Sequence, residues 1–173
     1  MNIIAREQPA GFAPEIRRDP DLDIQSGELS EVLQVWHALR GDRLMPARAD
    51  IRPADFRRHL ALIALVDVQR SPLRVRYRLM GTAIVNALRR DLTGRWYDEV
   101  YPPAIMAEVE QVYGWIVANR RPLRTSGVAL FFDRSMYDYE VVNLPLSEDG
   151  KEVDMVLGAM RFTMAEGPPV PPT

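Results

Sequence analysis

Apolar positions along this chain follow two periods, and the places where the period changes lay out the elements. From Ser26 to about Leu39, the residues Leu29, Val32, Leu33, Trp36 and Leu39 recur at helical spacing. They predict an amphipathic helix with Ser26 as its cap and Gly41 as its stop. Pro53 suits the first turn of a short helix over about 53–60. Residues 61–69 form an apolar run, as in a buried strand. After a turn at 70–72, Leu73, Val75, Tyr77 and Leu79 alternate with Arg74, Arg76 and Arg78. That alternation predicts a half-exposed strand, paired as a hairpin with the one before it.

Residues 82–92 return to the helical period, with Ile84, Val85 and Leu88 inward, until Thr93 and Gly94 break it. An aromatic connector covers 95–101. Pro102 and Pro103 then open a longer helix to about Asn119, with Ile105, Val109, Val112, Tyr113 and Ile116 on its stripe. Three strands follow over about 124–133, 137–146 and 152–163. Turns at 133–135 and 147–150 join them, and Asp149-Gly150 is the strongest hairpin signal in the chain. Short joins make these strands antiparallel. The predicted fold is α+β: a five-stranded antiparallel sheet, crossover helices on one face, and an extra N-terminal amphipathic helix. The last strand is apolar on both sides, with Val153, Met155 and Leu157 against Val156, Met160 and Phe162, so both sheet faces need a cover. Residues 1–24 read as an arm, 25–164 as the domain, and 165–173 as a disordered proline-rich tail.

Composition narrows the function. The 173 residues are 47% hydrophobic, enough to bury a core without staples. Cysteine is absent, which removes disulfides, thiolate metal sites and cysteine nucleophiles. The balance of 22 basic against 24 acidic side chains gives no global pull toward nucleic acid or anionic lipid. No stretch is apolar for long enough to span a bilayer, so a cytoplasmic protein without a membrane partner is expected. No nucleophile elbow, zinc-protease helix or phosphate-cradling glycine loop is present, and no enzyme is expected.

The element order is the layout of the PAS fold, and residues 77–103 carry a closer likeness. Gly94, Arg95, Asp98, Glu99, Val100 and Pro102 resemble the PAS core passage that follows the second strand. The segments 36–50 and 77–82 are similar to a bacterial PAS subfamily of mostly stand-alone domains. The resemblance spans residues 26–163. It implies a sensory or regulatory domain that takes a ligand, or light or redox input, or that mediates dimer contacts.

A ligand cavity between the sheet and the crossover helices would be lined by Tyr77, Leu79, Ile84, Leu88, Trp96, Phe132, Val142 and Met160. The alternative is that these side chains fill a core, leaving a ligand-free interaction module. Haem and metal find little here, since His37 and His59 are the only histidines and both lie outside the crossover. The ligand is otherwise unknown. Leu29, Val32, Leu33 and Trp36 are the interface candidates, to be laid on the chain's own sheet or on a second protomer, as the resemblance implies. A homodimer or a signalling protein is the expected partner. The loop 40–52, dense in arginine and aspartate, reads either as an anion grip or as an ion-pair network.

Overall fold

The computed structural model describes residues 16–130 and 136–164. The turn at 133–135, Phe132, most of the N-terminal arm and the tail from 165 lie outside the described residues. The first helix, α1 (Gly27–Arg40), starts at Ser26, whose hydroxyl accepts the Leu29 N–H. It ends at Gly41, where a φ of 57° suits a residue without a Cβ. Single 3-10 turns follow at Arg48–Asp50, Pro53–Phe56 and Leu60–Leu62. Strands β2 (Ile63–Arg70) and β3 (Leu73–Met80) form the expected hairpin. The crossover holds α2 (Thr82–Leu88), α3 (Tyr97–Val100) and α4 (Pro103–Asn119). Strands β4 (Leu123–Leu130), β5 (Met136–Leu146) and β6 (Met155–Met164) complete the meander.

The sheet has six strands rather than five. Residues Arg17–Asp19 form β1, an edge strand on β4. Three residues are too few to show a period, so this strand has no signature in the sequence. The order is β1-β4-β5-β6-β2-β3, antiparallel throughout.

Both faces are covered, as the two-sided last strand requires. α1 lies over β5 and β6. There Leu29, Val32 and Trp36 are buried with Val142, Leu144, Leu157 and Ala159 in the core. On the other face the crossover helices bring Tyr97, Val109, Val112, Tyr113 and Ile116 over the sheet.

One irregularity changes the reading of β3. Leu65 pairs with Leu79, yet Val66 pairs with Tyr77, so Arg78 is an extra residue in the ladder. This bulge reverses the side-chain alternation beyond it. Leu79 therefore leaves the face of Val75 and Tyr77 and stands 46% exposed.

Candidate ligand site under the crossover helices

The helix-covered face of the sheet is built from rows that the strand register fixes. One row runs Leu123, Asn143, Gly158, Ala64, Met80 across β4, β5, β6, β2 and β3. Its middle is small. A Cβ added at Gly158 would meet a single atom within 4 Å, the Val141 Cγ1 at 3.9 Å. Gly158 is buried all the same. Interiors are normally packed as tightly as organic crystals. A methyl at this buried position would meet only an ordinary van der Waals contact, so the middle of the floor is lightly packed at the scale of one side-chain carbon.

Polar groups flank that position. The Asn143 Nδ2 donates to the Leu123 carbonyl and to the Thr125 hydroxyl, both at 3.1 Å. Its Oδ1 takes part in neither bond. On the other side the Met80 sulfur accepts the Leu92 N–H at 3.2 Å. Val66 lies two residues along β2 from Ala64, about 7 Å, and pairs with Tyr77.

Tyr77 opens a tyrosine cluster. Its ring lies 4.3 Å from that of Tyr97, which meets Tyr101 and Tyr113 edge-on at 5.3 and 6.0 Å. The hydroxyls pair as Tyr77 with Tyr101 at 2.7 Å and Tyr97 with Tyr113 at 3.4 Å. β3, α3, the residue closing α3, and α4 each contribute one ring. Burial raises all four phenols above their ordinary value of 10, Tyr113 to about 12, and for Tyr77 the neighbouring Tyr101 adds to it. They are neutral donors and acceptors at any physiological pH. Phenol, amide and thioether groups thus share the helix-covered face of the sheet with the lightly packed floor at Gly158.

The structure separates the pocket residues read from the sequence. Tyr77 and Met160 lie on the helix-covered face, Tyr77 buried and Met160 half-buried. Ile84 is fully buried on α2, with Leu88 half-buried one turn on. Val142 does not belong with them: it is buried on the opposite face, under α1. Leu79 is excluded by the bulge. Trp96 bridges Arg76 at the outer edge, with the Arg74 and Arg76 guanidiniums 4.2 and 5.1 Å from its ring. Phe132 lies outside the described residues. Gly158, Asn143 and the tyrosines other than Tyr77 are not among the pocket residues expected from the sequence, which places Tyr97 and Tyr101 in the aromatic connector and Tyr113 on the stripe of the long helix.

Of the interface candidates, Leu29, Val32 and Trp36 are spent on the chain's own sheet, and Leu33 is half-buried beside them. Trp36 Nε1 donates to the Pro145 carbonyl at 3.0 Å. The 40–52 loop is an internal network. Arg43 meets Asp50 at 2.8 Å and donates to the Leu39 carbonyl, and Arg48 donates to the Ile51 carbonyl. The arginine ladder is paired too: Arg74 with Asp98, Arg76 and Arg78 with Asp67. Among the described residues, no helix is long and apolar enough to cross a membrane, and no group of three His, Asp or Glu side chains is placed to hold a metal ion.

Residues 24–161 match a family model described as a PAS domain. No protein of curated function matches the chain. Among solved structures, that of an RNA-binding Light-Oxygen-Voltage receptor is similar at 13% identity and a TM-score of 0.48. The match covers 86% of this chain and 38% of that one.

Proposed function

This chain belongs to the PAS domain family, and from that premise we propose that it is a non-catalytic sensory module whose ligand sits between the sheet and the crossover helices. The ligand is a small molecule of low charge. The observation that supports the reading is the lightly packed floor at Gly158, buried yet with a single contact within 4 Å of where a Cβ would stand. Asn143 supplies an amide beside it, and the tyrosine cluster supplies flat apolar faces with neutral hydroxyls. Such a mixture, mostly apolar with a few placed polar groups, is what small-molecule sites share. The ligand state is passed on through a protein partner or a second copy of the chain. A ligand need only favour one arrangement of the helices over another to do this.

Native mass spectrometry on protein purified from cells tests the reading. The parent should carry an extra mass that leaves on denaturation, and Gly158→Leu, which fills the floor, should lack it. A parent at its bare chain mass would favour the ligand-free interaction module.

A further inference from the structure

A concavity lies on the other side of the molecule, away from the tyrosine cluster. It is a groove of about 360 Å³ between α1 and the segment that follows the Pro53–Phe56 turn. Glu31 and Val35, one turn apart on α1, form one wall. Ala54, Arg57, Arg58 and His59 form the other.

Its charges are unevenly used. Asp55, also in the wall, is held by a two-pronged bond from Arg52, at 3.0 Å on each arm. Glu31 is held by His59, whose Nε2 lies 2.9 Å from its carboxylate. Arg57 and Arg58 are exposed and have no ion-pair partner among the described residues. The His59 ring is more than nine-tenths buried, yet its Nδ1 has no hydrogen-bond partner. A neutral imidazole leaves a lone pair there, and a charged one leaves an N–H. Buried nitrogens of this kind are normally satisfied.

We propose that this groove is a second ligand site, for a small organic anion. Two free guanidiniums suit a phosphate or carboxylate by forked hydrogen bonds. Val35 and Ala54 suit a compact apolar body behind it. The volume falls in the range of small-molecule sites. The assignment stands apart from the ligand site proposed under the crossover helices and does not depend on it.

Calorimetric titration with phenyl phosphate and with benzoate tests it, with phenol as the uncharged control. One of the two anions should bind saturably, with shifts of the Ala54 and His59 amide resonances. Phenol should leave those resonances unmoved. Arg57→Gln with Arg58→Gln should weaken binding at least tenfold, while Gly158→Leu leaves it unchanged. Both substituted arginines are exposed, so the fold survives their loss. No saturable binding of either anion, equal binding by the double variant, or shifts confined to other residues would overturn the site.

Discussion

Glu140 ties three elements together with one carboxylate. From β5 it accepts the backbone N–H groups of Gln25 and Ser26, at 2.8 and 2.9 Å, where α1 begins. It also pairs with Arg124 on β4 at 2.6 Å. Burial pushes its pKa up, but these donors outweigh burial and hold it below the ordinary 4.5. A depressed carboxylate pKa stabilises the fold above the unfolded value, and that stability is lost as pH falls through the folded one. Glu140→Gln should therefore cost about 1–3 kcal/mol at neutral pH, and the gap in melting temperature should close below pH 4.5. A gap that stayed constant with pH would mean the charge is not what matters. Trp36 acts at the same scale. Trp36→Phe keeps much of the apolar cover but strands the buried Pro145 carbonyl, at about 1–3 kcal/mol. Trp36→Ala should cost about 3–5 kcal/mol, or about 6–20 °C of melting temperature for a chain of this size. The helical spacing made Trp36 legible as an anchor. Its bond to Pro145 spans 109 residues of sequence, and no local pattern encodes that.

Elements were legible wherever a period ran long enough. α1, α4 and the β2–β3 and β5–β6 hairpins follow from caps, prolines and alternation, and they agree with the structure to within a few residues. β1, at three residues, is too short to have a period. The bulge in β3 fails differently: one inserted residue leaves the alternation of Leu73, Val75, Tyr77 and Leu79 intact on paper while turning Leu79 outward. β5 fails a third way. Val141, Val142, Leu144 and Leu146 are apolar on both sides, so parity alone cannot say that Val142 lies under α1. The bulge is directly checkable. Leu79→Ser should change stability by no more than about 0.5 kcal/mol, as exposed substitutions do. Tyr77→Ser, two residues away, should cost about 3 kcal/mol or more. Equal losses in denaturant melts would place Leu79 back in the core.

Across the whole molecule, two covered sheet faces divide the labour. The α1 side is closed by Trp36 and its neighbours, while the crossover side holds the phenols and the lightly packed floor at Gly158. Five of the six tyrosines have raised pKa values: burial is the main cause for each, and Glu108 adds to it at Tyr139. A raised phenol favours folding below the unfolded value, and the stability is lost as pH rises beyond 10 toward the folded values. The four clustered phenols should thus ionise only with unfolding, well above pH 10. Titration of Tyr77, Tyr97, Tyr101 or Tyr113 in the folded protein, read from their ring resonances, would contradict the cluster. The sequence could suggest a covered sheet with aromatic helices over it. It could not show the light packing at Gly158, because that depends on what neighbouring elements leave out, and glycine carries no apolar signal.

That light packing is the central claim, and the melting temperature of Gly158→Ala tests it most directly. In a filled interior an added methyl strains the packing by about 1–3 kcal/mol. Over an open floor it costs nothing and removes the backbone freedom of glycine, a gain of about 0.5–1 kcal/mol in a strand. The account predicts a variant that melts at or above the parent temperature. A fall of several degrees would mean that the floor is already filled, and that the crossover side of this sheet has no room for a ligand.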